Sequence, residues 1–111
     1  MTSHPAPPSS ASEVGERIAG AVAGVTGARL WVRPPFDTLP AIPGRPPAGV
    51  ELRDGQVHVH LACDQLPLAP LADTVAQGIL GVLPGTPWAG APVGVHVDHL
   101  DDIALRRQEV A

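Results

Sequence analysis

The side chains of this sequence that could do chemistry fall in two short stretches. VHVHLACD (57–64) carries His58, His60, Cys63 and Asp64, and VGVHVDHL (93–100) carries His96, Asp98 and His99. Three imidazole nitrogens with an open fourth position form a catalytic zinc arrangement. Such a site requires that the strand bearing His96 lie beside the strand bearing His58 and His60, so that three rings gather on one exposed sheet face. The plainer alternative is that alternating histidines simply populate a solvated strand face, with Glu51 as the cross-strand partner of His58. Ligand spacing without a structural context is a weak motif, so the expectation is a solvated strand face with no bound metal, His58, His60 and His96 being the weak candidates for one. His99 lies three residues after His96, so strict alternation puts it on the opposite side of its strand.

The other candidates read as structural. Cys63 faces inward and has no basic neighbour in sequence to lower its thiol pKa, so it behaves as a small buried hydrophobe rather than a nucleophile. Asp98, Asp101 and Asp102 form an acidic group of the kind found at strand ends and helix caps. The glycines of AGAVAGVTGA sit inside a helical pattern rather than after a strand, so they do not make a phosphate loop. No serine stands at a recognisable spacing from a histidine. The expectation is a non-enzyme without a cofactor.

The elements that must position these side chains follow from local pattern. Ser10 and Glu13 match a capping box, and Val14, Ile18, Val22 and Val25 recur at helical spacing, which predicts a helix from Ala11 to Gly24. Its glycines Gly15, Gly20 and Gly24 weaken it but permit close packing. Ala28 to Arg33 alternates as a strand, with Trp31 on the polar face between Arg29 and Arg33. The segment from Pro34 to Pro47 is too proline-rich for regular structure, and Phe36, Leu39 and Ile42 are its candidate anchors. GVELR-DG-QVHVHLAC then reads as a hairpin about Asp54-Gly55. Its register pairs Arg53 with Gln56, Leu52 with Val57, Glu51 with His58, Val50 with Val59 and Gly49 with His60, turning Val57, Val59, Leu61 and Cys63 inward.

A second helix begins near Pro67 and Pro70 and ends at Leu83, with Leu71, Val75, Ile79 and Val82 as its buried stripe. Its remaining surface is nearly uncharged, so Ala76, Leu80 and Leu83 are expected on a flank available to a partner, with Trp31 as a further contact residue. Pro92 to Asp98 is the last strand, with Val93, Val95 and Val97 inward. The fold class is α+β: a small mixed sheet of about four strands, in the order helix, strand, hairpin, helix, strand, with two helices on one face. Residues 1–10 read as a disordered tail, 11–99 as the domain and 100–111 as a tail or short helix.

Composition narrows the function classes. The chain has 111 residues, enough for one modest core. Aromatics are 3% of it, so the core must be built from aliphatic side chains. The formal charge is −4 and the seven arginines are scattered. Nucleic-acid binding is therefore not expected, although the element order is also similar to that of some RNA-binding α+β domains. One cysteine allows no internal disulfide. The start MTSHPAPPSS lacks a signal-peptide pattern, and the best apolar run, Ile18 to Val25, is far short of the roughly 20 residues needed to span a bilayer. These features predict a cytoplasmic protein without direct membrane insertion.

The whole pattern resembles the bacterial alkaline shock protein family, also called the envelope stress response family. The opening helix of that family reads V-x-x-I-A-x-x-A-x-x-V-x-G-V, matched here by Val14, Ile18, Ala19, Val22, Val25 and Gly27. Its hairpin is matched by Gly49, Val50, Leu52, Val57, Val59 and Leu61, its proline-led helix from Pro67 to Leu83, and its closing strand by Val93, Val95 and Val97. The resemblance covers about residues 11–99. It departs in the second helix, rich in Glu and Lys in typical members and nearly uncharged here, and in prolines where the family has a glycine-rich loop. The resemblance implies a non-enzymatic protein of cell-envelope homeostasis that self-associates. It also implies recruitment to the inner membrane face by a small transmembrane anchor protein. The alternative that the residues themselves leave open is a metal- or small-ligand-binding module on the histidine-bearing face.

Overall fold

The computed structural model describes residues 10–32 and 44–101. The expected N-terminal tail up to residue 9, the candidate anchors Phe36, Leu39 and Ile42, and the expected C-terminal segment from residue 102 lie outside the described residues. Two helices and four strands follow in the order α1 (Ala11–Ala23), β1 (Ala28–Leu30), β2 (Val50–Arg53), β3 (Gln56–Cys63), α2 (Leu68–Leu80) and β4 (Val93–Leu100). The class is α+β, with both helices packed on the sheet.

The helix α1 starts where its cap is. The Glu13 amide donates to Ser10 Oγ at 3.1 Å, which satisfies one of the free donors of the first turn. Val14, Ile18 and Val22 are buried along one stripe. Gly15 is buried with them, and a Cβ there would lie 2.6 Å from Pro46 Cβ, so this helix turn rests directly on the chain that enters β2. Gly20 has no such neighbour. Of the two, only Gly15 is used for close packing.

The hairpin adopts the expected register at every pair, from Val50 opposite Val59 to Arg53 opposite Gln56. Its outermost contact also forms, as the His60 amide donates to the Gly49 carbonyl at 2.9 Å. Asp54 and Gly55 both take positive φ, at 53° and 69°, which matches the right-handed twist of the flanking strands.

β3 is bonded along both edges. On one edge β1 pairs antiparallel with its C-terminal half (Ala28 opposite Cys63) and β2 with its N-terminal half, so the two short strands lie end to end. On the other edge β4 runs parallel to β3, completing a β–α–β unit and making the sheet mixed. β1 is shorter than expected because β2 occupies the rest of that edge. Trp31 still donates its amide to the His60 carbonyl at 2.8 Å.

The core lies between the sheet and the helices. Val57, Val59, Leu61 and Cys63 from β3 meet Val14, Ile18 and Val22 from α1 and Val75 and Ile79 from α2. Leu83 joins them at 1% exposure, which corrects its expected place on the α2 flank. The helix ends at Leu80, and beyond the Gly81 cap the chain turns, so helical periodicity no longer decides which way Leu83 points. The turn is held by Thr86, which bonds the Leu83 carbonyl through its amide at 3.0 Å and its hydroxyl at 2.6 Å. β4 also runs past its expected end at Asp98, with Leu100 still paired to Cys63.

Replacing Gly55 with valine forces a β-branched residue to positive φ and is expected to destabilise the domain by about 1–3 kcal/mol. Chemical denaturation measures this directly. An unchanged unfolding midpoint would mean that the turn does not require that geometry.

Candidate functional site

The face of the sheet opposite the helices carries the histidines. The pleat of β3 sends His58 and His60 outward between buried valines, and the parallel pairing sets His60 opposite His96 and His58 opposite Gly94. The three rings sequence reasoning singled out are therefore brought together. His96 sits in the middle of a stack, 4.9 Å from His60 and 5.3 Å from His58 between ring centroids.

Hydrogen bonds order this stack from one end to the other. At the hairpin end, His58 Nε2 lies 3.0 Å from the Gln56 side-chain oxygen, which can only accept. His58 Nδ1 lies 3.0 Å from His96 Nε2, within hydrogen-bond distance. His60 is held differently: Nδ1 lies 2.7 Å from Asp98 Oδ2 and Nε2 lies 3.5 Å from Glu51 Oε1. Glu51 in turn pairs with Arg53 at 3.2 Å. Both ring nitrogens of His60 are thus engaged by carboxylates, and it does not converge with His58 and His96 on a common point. Among the described residues no three His, Cys, Asp or Glu side chains group around one position for a metal ion. Glu51 lies opposite His58 in the hairpin, but its carboxylate turns to His60 instead.

His99 lies on this same face, which corrects its expected opposite placement. The β3–β4 register shifts between Leu61 and Ala62, where the pairing passes from Val97 to His99. Asp98 is the extra residue of this β-bulge, and the bulge resets the alternation. His99 then stacks parallel to Trp31, with centroids 6.0 Å apart. Asp101 receives both His99 Nε2 and Arg29 Nη2 at 3.2 Å. Trp31 is half-buried on the polar face as expected, matched to an imidazole. Asp98 and Asp101 serve as partners of histidine and arginine, while Asp102 lies outside the described residues.

Sequence reasoning missed two contributors. Gln56 shares the outward parity of His58, and the hairpin pattern shows it only as the partner of Arg53. Gly94 shares the outward parity of His96, and a Cβ there would lie 2.8 Å from His58 Nδ1 and 3.2 Å from His96 Nε2. The His58–His96 contact therefore depends on a glycine at this position. The G-V-H spacing was visible, but its meaning depends on which strand lies alongside.

Elsewhere, Cys63 is fully buried on the helix side. Burial raises its thiol above the ordinary range, Asp101 and Asp64 add to the shift, and Arg29 opposes it. The shallow cleft between the end of α1 and the start of α2, lined by Val25, Gln65, Leu71 and Thr74 among others, contains no titratable side chain. On α2, Leu80 is the exposed large hydrophobic of the described residues at 43%, and Ala76 is half-buried beside the stripe.

Two measurements check this geometry. Gly94→Ala is expected to displace the His58 ring, changing the imidazole nitrogen shifts of His58 and His96 by NMR. The His60–Asp98 signals should stay put, and stability should change by less than about 1 kcal/mol, since the displaced ring can swing toward solvent. Unaltered His58 and His96 signals would contradict the contact.

The Cys63 shift has a clean thermodynamic signature, because the sequence has no lysine and no tyrosine. A thiol whose pKa is raised by folding stabilises the native state fully below its unfolded pKa of about 8.5, and that contribution is lost as pH rises through the folded value. Stability is thus expected to fall above about pH 8.5, and Cys63→Ala should remove that slope. An identical alkaline slope in the variant would mean that Cys63 is not its source.

No protein-family model, curated protein or solved structure matches this chain.

Proposed function

We propose that this chain is a non-enzymatic protein of the cell-envelope stress response, acting as a scaffold or adaptor by protein–protein contact. In this reading it self-associates and is recruited to the inner face of the membrane by a small transmembrane anchor protein. The order helix, strand, hairpin, helix, strand supports the reading, since it is the order of the family that the sequence resembles. Among the described residues no helix is long and apolar enough to cross a membrane.

The observation that carries the reading is the flank of α2. Leu80 is exposed beside half-buried Ala76, on a helix whose only charged side chain is Asp73. Covering the exposed part of one leucine is worth about 1 kcal/mol, and a symmetric dimer counts it twice. That is enough to move a weak association constant by between about tenfold and a hundredfold. Trp31, half-buried on the opposite face, offers a second contact.

Leu80→Glu is expected to weaken self-association by about that factor in sedimentation equilibrium, with an unchanged circular dichroism spectrum. In cell fractionation the parent protein should accompany the inner membrane and the variant should not. A parent protein that is monomeric at every concentration and absent from the membrane fraction would overturn the reading.

A further inference from the structure

We propose that β4 is the interface of a two-fold dimer of this chain, pairing antiparallel with the β4 of a second copy so that the two sheets become one. The proposal rests on the self-association part of the proposed function and supplies its geometry. It starts from where the backbone groups of β4 point. Val57 donates its amide to the Pro92 carbonyl at 2.9 Å, and Val57, Val59 and Leu61 are the register partners of Val93, Val95 and Val97. In a parallel ladder each such residue bonds to the neighbours on either side of its partner, so Pro92, Gly94 and His96 turn their backbone groups to β3. The amides and carbonyls of Val93, Val95 and Val97 then point the other way, and among the described residues no strand pairs with them.

This open edge lacks the usual guards against pairing. Between Pro92 and the bulge at Asp98 the strand reads Val-Gly-Val-His-Val, with no proline, carboxylate or arginine. Its three valines point to the helix side but are only half-buried, whereas the β3 valines beside them are completely buried. A strand laid along the edge would cover them. A second copy of β4 does so in one register that uses all of these open groups: Val95 opposite the partner's Val95 on the two-fold axis, and Val93 opposite the partner's Val97. His96 then lies opposite the partner's Gly94, where no side chain meets its ring. The helix above fits the same axis. α1 packs over β1 and β2 and α2 over β4, and Gly78 faces Ala21 of α1. Helical spacing therefore sets Ala72, Ala76 and Leu80 on the flank away from α1, toward the open edge. Bulky side chains here would hold two such helices apart and keep the strands from meeting. Two alanines let them approach, and exposed Leu80 gains a covering surface.

The competing accounts are a dimer joined through the α2 flank alone and an edge closed within one chain. The test follows amide hydrogen exchange of the tag-free full chain by NMR, below and above the association midpoint found by sedimentation equilibrium. The Val93, Val95 and Val97 amides should exchange freely in dilute protein and about tenfold or more slowly in the dimer. Those of Gly94 and His96 should stay protected in both. Val95→Pro removes a donor from the open edge and none from the β3 ladder. It should weaken association by about tenfold or more, with an unchanged circular dichroism spectrum. A dimer whose Val93, Val95 and Val97 amides exchange as fast as in the monomer overturns the proposal and leaves self-association through α2 standing. Equal protection of these amides at every concentration also overturns it, since the edge is then closed within a single chain. A chain that is monomeric throughout overturns it too, whatever its membrane fractionation shows. The exchange comparison uses the unsubstituted chain, so a Val95→Pro variant that fails to fold does not rescue the proposal.

Discussion

Everything in this fold hangs on β3 being bonded along both of its edges. A strand paired on both sides cannot slip by one residue without exchanging its two faces, and here the faces differ completely. Val57, Val59, Leu61 and Cys63 close the core, while His58 and His60 stand on the other side. A shift would bury two imidazoles and expose the aliphatic side chains that hold both helices. The histidine column is in this sense a by-product of core formation. Its rings are placed by the same pleat that places the valines.

The two faces of the sheet also separate two kinds of interaction. The helix flank with Leu80 lies on the helical layer, whereas the imidazoles and Trp31 lie on the bare side. A protein partner docked on α2 would leave the imidazole-bearing face uncovered. Contact with the helical layer would reach the imidazoles only through the sheet, and β3 is the element that touches both.

What could be read in the sequence was whatever is decided locally. The hairpin was legible pair by pair because Asp54-Gly55 selects the turn and strict alternation selects the register. The first helix was legible because Ser10 caps it and its stripe has one period. Reading failed where a distant strand or a change of periodicity decides. Leu83 was projected along a helix that had already ended at Leu80. His99 was assigned by alternation across a bulge that arises only when β4 is laid against β3. The inward and outward sets of β3 and β4 could be listed in advance, but their adjacency could not, and adjacency turns three scattered histidines into a stack. Gly94 has no chemistry of its own, so nothing marked it before its neighbours were known.

The amide group of His60 grips both ends of the connection between β1 and β2: its oxygen takes the Trp31 amide and its nitrogen donates to Gly49. One residue of β3 therefore fixes both where β1 stops and where β2 starts, so the edge opposite β4 is divided between two short strands at a set point.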